Sequence, residues 1–300
     1  MAGILVIRGG AIGDFILTLP ALAALRRQFP SARLELLAYP HVAQLAFAAG
    51  LVDDIRSIDG QPLAGFFAPD APLDSGLQGY FERFSVVISY LYDPDEIFQT
   101  NVRQSCRGQF IVGPHRPDER KPLHATEVFL APLQRLAIFD PDPVPRLAIA
   151  PESTGTAAIA LHPGSGSERK NWPLQNWIAL ANELARRPGT RLLLVGGEAE
   201  RGKLEVLATR LAGTRFEVAD RLPLTQLAPR LAACSAFVGH DSGITHLAAA
   251  LGIPTFALWA GSIQSIWEPR GNNVKIIRHP GGIGCLTPQD VLEEWARQAY

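Results

Sequence analysis

The stretch "IRGGAIGDFILTLPAL", residues 7–22, runs from the end of an apolar segment through three glycines in five positions to an acid, Asp14. The apolar part, "GILVIR", reads as a buried strand, and "DFILTLPALAALRRQ" reads as an apolar-striped helix bent or restarted near Pro20. Gly9, Gly10 and Gly13 let the backbone turn tightly and approach a ligand where strand hands over to helix. Asp14 then stands near a helix N-terminus, either as a reagent or as a complement to the helix dipole. The dinucleotide fingerprint G-x-G-x-x-G is not met. The next strand ends in "LAYP" with Glu35 inside it, so the acid expected for ribose is missing and NAD binding is not indicated.

Outward from this unit the pattern repeats. "ARLELLAY" is a strand, "PHVAQLAFAAG" a helix closed by Gly50, and "VDDIRSI" and "FSVVISY" are further strands, while residues 59–82 read as a long loop. A second series starts near residue 157. Strands "AAIALHP", "TRLLLVGG", "AFVGHD" and "PTFALWA" alternate with helices "NWIALANELARR", "EAERGKLEVLATRLA", "LTQLAPRLAAC" and "GITHLAAALG". The Pro-rich segment 139–155 reads as a stiff connector between the two series. Strands alternating with helices predict an α/β fold of two doubly wound domains, with a cleft between them. The expected division is 1–150, 151–285 and a closing amphipathic helix in 286–300, capped by Thr287, that packs back on the first domain.

Composition narrows the function. A formal net charge of -1 gives no general attraction to nucleic acid or an anionic membrane, so an anionic partner must be held locally. Three cysteines, Cys106, Cys234 and Cys285, lack zinc or redox spacing and suit a reducing cytoplasm. No apolar run approaches the roughly 18–20 residues needed to span a bilayer, which predicts an unexported chain with at most peripheral membrane contact.

Ligands of open α/β sheets bind beyond the carboxyl ends of the strands, which directs attention to three more loops. In "HPGSGSERKNWP", residues 162–173, Ser165, Gly166 and Ser167 precede Lys170, one of only four lysines in the chain. Amides, hydroxyls and an ammonium at that spacing can surround phosphate oxygens, although the P-loop pattern is not met and Lys170 reads equally as a solvated surface residue. In "VGHDSGITHLAAALGIP", residues 238–254, Asp241 ends a strand, Ser242 and Gly243 open a helix, and His246 lies four residues after Ser242 on the same face. In "VGGEAERGK", residues 195–203, Glu198 or Glu200 can accept from ribose hydroxyls or complement a helix start. Arg103, Arg107, Arg116, Arg120 and Lys121 gather in residues 101–124, a solvated basic surface or a holder of an anionic saccharide. Trp172, Trp177, Trp259 and Trp267 are stacking faces or core.

Together these loops resemble glycosyltransferase family 9, the ADP-heptose:lipopolysaccharide heptosyltransferases. The family's "RxGAxGDxxLTxPAL" is similar to residues 7–22, its "HPG...K.WP" to residues 162–173, and its "DSGxxHLAAAlGxP" to Asp241–Pro254. "CLTPQDVLEEW" resembles its closing segment. The resemblance implies a GT-B fold, with nucleotide-sugar donor on the second domain and acceptor on the first. It implies that Asp14 is the base, that inversion follows direct displacement, and that Lys170, Ser165, Gly166, Ser167, Asp241, Ser242 and Gly243 bind the donor, whose leaving diphosphate is held without a metal. It further implies that Glu198, with Glu200 as fallback, meets the ribose, and that His246 lies near the sugar or diphosphate. The implied donor is ADP-heptose, and no separate cofactor is implied. The expected acceptor is an anionic saccharide or glycolipid, met by Gly10, Gly13, Arg103, Arg116 and Arg120. A sugar-nucleotide epimerase and a non-catalytic nucleotide-sugar-binding protein are the competing readings; the first would need no second sugar, the second no Asp14.

Overall fold

The computed structural model describes residues 3–153, 157–211 and 213–298. The ends of three predicted segments, at 154–155, 212 and 299–300, lie outside the described residues. The chain divides into two compact units, Met1–Pro145 and Arg146–Tyr300.

The first unit runs β1 (Gly3–Arg8), α1 (Ile12–Gln28), β2 (Arg33–Ala38), α2 (Pro40–Ala48), β3 (Asp54–Ser57), α3 (Ser75–Phe81), β4 (Phe84–Ser89), α4 (Ile97–Ser105), β5 (Gln109–Val112) and α5 (Ala125–Leu130). Its five strands form one parallel sheet in the order β3-β2-β1-β4-β5. All six residues of β1 are buried, as expected of a central strand covered on both faces. The order reverses between β1 and β4, so the loops leaving those two strands border the crevice where α/β sheets take their ligands.

Two expectations need correcting here. Helix α1 continues through Pro20 rather than restarting there, with Phe15 through Leu22 all buried. Residues 59–82 are not a plain loop: they hold a 3-10 helix at Gln61–Phe67 and then α3, whose N-cap Asp74 accepts from the Leu77 amide at 2.9 Å. Leu77, Tyr80 and Phe81 of α3 fall on one face and join the core with Phe66 and Phe98.

The second unit runs β6 (Ala158–His162), α6 (Leu174–Ala185), β7 (Arg191–Gly196), α7 (Arg201–Arg210), β8 (Phe216–Asp220), α8 (Leu224–Ala232), β9 (Ala236–His240), α9 (Gly243–Ala250), β10 (Thr255–Leu258), α10 (Gln264–Trp267), β11 (Val274–Ile277) and α11 (Pro288–Gln298). Its six parallel strands lie in the order β11-β10-β9-β6-β7-β8, the doubly wound arrangement with its reversal between β6 and β9. In α8, Leu224, Leu227, Ala228 and Leu231 bury one stripe at helical spacing. Trp177, fully buried on α6, centres the core, and its truncation to Ala would cost about 3–5 kcal/mol.

Helix α11 packs on α6 and β11. Val291 is fully buried, and Trp295 stacks on Phe256 with ring centroids 4.8 Å apart. The apolar face of the closing helix is therefore covered within the second unit.

Candidate functional site

In the first unit the site begins at the last residue of β1. Arg8 is 2% exposed, and its guanidinium lies over the Phe129 ring at 4.4 Å. Nη1 donates to the His115 carbonyl at 2.9 Å and, more weakly, to that of Tyr90 at 3.4 Å. Nη2 donates to the Asp14 carbonyl at 3.3 Å and stands 3.7 Å from its Oδ1. Burial lowers the Arg8 pKa from its ordinary value, and the Asp14 carboxylate opposes that shift.

Asp14 is the third residue of α1, and its Oδ2 accepts from the Ala11 amide at 3.2 Å. Its side chain is 29% exposed, so the carboxylate is anchored on one side and open to solvent on the other. Asp14 therefore complements the helix start, one of its two readings, and its carboxylate remains reachable from solvent. Gly10, at φ +99°, is where only glycine fits: a Cβ would approach Asp14 Oδ2 to 3.0 Å. Gly13 lies within the first turn of α1. Beyond β4, Tyr92 is 71% exposed and packs edge to face on His115 at 4.7 Å.

The predicted acceptor arginines are spread over exposed surface. Arg116 pairs with Glu119 at 2.5 Å, Arg120 with Asp118 at 2.8 Å, and Arg103 lies over Phe110 at 5.7 Å.

In the second unit the loops after β6 and β9 meet. Lys170 Nζ donates to Asp241 Oδ2 at 2.6 Å and to Ser262 Oγ at 2.6 Å, which brings the ammonium to the start of α9. Asp241 is 9% exposed at its side chain and Lys170 27%, so the acid is the inner member of the pair. Lys170 is thus held in place rather than solvated at random. Ser242 is the N-cap of α9, its Oγ accepting from the Thr245 amide at 3.4 Å, and Gly243 opens the helix. His246 is buried within α9 at 6% exposure.

Ser165 Oγ lies 2.9 Å from the Ser167 carbonyl and 2.7 Å from Asn171 Oδ1, and Gly166, at φ +70°, is exposed. Of the two glutamates after β7, Glu198 is exposed, whereas Glu200 is buried and accepts from the Gly197 amide at 2.9 Å. The Glu200 carboxylate fills the space that a Cβ on Gly164 would occupy, so this glycine is needed for close approach. Trp172, Trp177 and Trp259 are core residues, each 6% exposed or less.

The supporting groups escaped the sequence reading. Both β6 and β9 end in histidine. His240 Nε2 accepts from the Trp172 amide at 2.7 Å, which ties the Lys170 loop to the end of β9 and requires an unprotonated nitrogen. Burial pushes His240 down to about 3 and His162 down to about 4, with Glu200 opposing the second shift. Arg8, His162, His240 and Ser262 had one available signal, a polar residue at or just beyond the carboxyl end of an apolar strand. The Lys170–Asp241 pairing joins residues 71 apart, which no local spacing reveals.

The model of glycosyltransferase family 9 (heptosyltransferase) matches residues 136–296. Lipopolysaccharide heptosyltransferase 2 of Escherichia coli (strain K12) is 32% identical over 145 residues, which is 42% of this chain and 41% of the relative. The matched stretch therefore spans about two fifths of that relative's length. Among solved structures, the E. coli ADP-heptose lps heptosyltransferase II aligns at a TM-score of 0.78 and 20% identity, over 98% of both chains. The E. coli heptosyltransferase WaaC with ADP aligns at 0.76 and 20% identity, over 99% of both. These likenesses give the fold as that of the heptosyltransferase structures, two doubly wound α/β units of the GT-B type. With more than half of its length matched by the family model, the chain belongs to glycosyltransferase family 9.

Proposed function

We propose that this protein is an inverting, metal-independent glycosyltransferase of the cytoplasm. It moves a heptose from ADP-heptose to a hydroxyl of an anionic saccharide acceptor, the inner core of lipopolysaccharide. The observation that carries the reading is the oriented ammonium of Lys170, held by Asp241 and Ser262 at the N-terminal end of α9. Positive charge fixed in that way suits a departing diphosphate. Family membership and the names of the relatives supply the sugar and the nucleotide.

In this reading Asp14 takes the proton from the acceptor hydroxyl as its oxygen bonds to the anomeric carbon. The bond from that carbon to the diphosphate oxygen breaks, and ADP leaves with the electron pair. Lys170, Ser165, Gly166, Ser167 and the first amides of α9, from Ser242 and Gly243, receive the charge that develops. Glu198, exposed after β7, takes the ribose hydroxyls, because Glu200 is already engaged with Gly197. His246 supports the sugar or the diphosphate from within α9. On the first unit, Gly10 and Gly13 admit the acceptor, Tyr92 offers its exposed ring for stacking, and Arg103, Arg116 and Arg120 meet its anionic groups.

The test is incubation with ADP-heptose and a deacylated, heptose-deficient lipopolysaccharide core. Equal amounts of free ADP and of a core heavier by one heptose are expected, with the anomeric configuration inverted. A rearranged ADP-sugar without acceptor consumption would identify an epimerase, and binding without turnover a sensor; either overturns the proposal.

A further inference from the structure

The Arg8 guanidinium is nearly inaccessible yet reaches the partly exposed Asp14 carboxylate, whose backbone carbonyl it also holds. Its other nitrogen donates to the His115 carbonyl, with a weaker contact to that of Tyr90, and so spans from β1 to the segments following β5 and β4. The ring of Phe129 lies beneath it, and Phe129 is fixed in turn by the Tyr90 hydroxyl, which donates to its carbonyl at 2.6 Å. The Thr18 hydroxyl donates to the same Asp14 carbonyl at 2.8 Å.

An arginine buried against aromatic rings carries a large desolvation cost. An apolar side chain of similar size in such a place is often neutral or stabilising. What an apolar residue lacks is a means of fixing Asp14 at carbonyl and carboxylate together while supplying a compensating charge. We propose that Arg8 is a positioning residue: it aims the Asp14 carboxylate, and it locks the start of α1 to the His115 and Tyr90 segments so that the carboxylate keeps its place relative to the acceptor-facing loops. This inference rests on the reading of Asp14 as the base.

The experiment compares Arg8→Gln, Arg8→Lys, Asp14→Asn and the double variant Arg8→Gln/Asp14→Asn, assayed by ADP release from ADP-heptose with the deacylated core. In Arg8→Gln, kcat is expected to fall about 30-fold or more, with acceptor KM and ADP affinity within about twofold of wild type. Arg8→Lys restores the charge without the fork and recovers part of kcat. Combining Arg8→Gln with Asp14→Asn lowers kcat no further than Asp14→Asn alone. An Arg8→Gln protein with wild-type kcat, a lysine no better than glutamine, or losses that multiply in the double variant would overturn the proposal.

If Arg8→Gln fails to fold, Arg8→Lys decides: a kcat below wild type with acceptor KM and ADP affinity within about twofold sustains the proposal, and a wild-type kcat overturns it. A melting cycle supplies a readout independent of turnover. Asp14→Asn should lower Tm by about 3 °C more in the wild-type background than in the Arg8→Lys background, where the contact is weaker, and equal shifts contradict the pairing. Should Asp14→Asn itself keep full turnover, the base assignment fails; the melting cycle still reports whether the two side chains are coupled.

Discussion

Each unit carries one ion pair at the reversal point of its sheet, and the two pairs are buried in opposite senses. In the first unit the cation is inside and the anion outside, with Arg8 2% and Asp14 29% exposed at their side chains. In the second the anion is inside and the cation outside, with Asp241 9% and Lys170 27% exposed. Burying one member of a pair fixes it as scaffold, because desolvation makes any departure from its partner costly. The exposed member is then oriented without being sequestered. The same fold thus presents a carboxylate from one sheet and an ammonium from the other, and in the proposed reaction the first would serve the incoming hydroxyl and the second the departing diphosphate.

The largest break in this comparison is expected at the exposed anion. Asp14→Asn preserves shape and the hydrogen bond to Ala11 but removes the base, and turnover should fall about a hundred- to ten-thousand-fold. Steady-state ADP release checks it, and retained turnover would return Asp14 to a helix-dipole role.

A smaller effect distinguishes the scaffolding. His162 and His240 stay unprotonated in the folded second unit down to about 4 and about 3, whereas in the unfolded chain each takes up a proton below its ordinary value of 6.5. The unfolded state then binds more protons, so this contribution is complete above that value and is lost as pH falls from about 6.5 toward 4. Each histidine adds up to about 1.4 kcal/mol per pH unit in that window. Denaturant melts between pH 7 and 4.5 should show the slope, and His162→Gln should flatten it whatever its effect at neutral pH. An unchanged slope would mean that His162 is not held neutral.

These elements differ in how plainly the sequence displays them. Strands β1, β6 and β9 are continuous apolar runs, and the glycine-rich turns after β1 and β6 mark their ends, so the doubly wound architecture is legible from residues 3–13 and 158–166. Of the sheet margins only β3, within "VDDIRSI", is legible; β5, β8 and β11, "QFIV", "FEVAD" and "VKII", are four or five residues long with exposed or half-exposed positions, too short to stand out from the neighbouring turns. Helix α3 did have a local signal, Asp74 followed by Leu77, Tyr80 and Phe81, hidden among Gly and Pro. At the site, Asp14, Lys170 and Asp241 can be named from their loops, but which of them is buried is a tertiary property. A buried Arg8 follows from Phe129 and Tyr90 closing over it, contacts made across more than 80 residues.

The smallest effect concerns the exposed arginines of the first unit. Arg116 and Arg120 already have carboxylate neighbours in water, and exposed contacts of that kind are weak and screened by solvent. Replacing both with Ala should raise the acceptor KM a fewfold and leave kcat unchanged. An unaltered KM for a phosphorylated core would remove them from the acceptor site.

The inverted burial of the two pairs is tested most directly by titrating ADP calorimetrically into Lys170→Met and Asp14→Asn. The exposed cation should carry the diphosphate, so Lys170→Met is expected to bind ADP at least about tenfold more weakly, while Asp14→Asn stays within about twofold of wild type. Wild-type ADP affinity in Lys170→Met, or an equal loss in Asp14→Asn, would contradict the account.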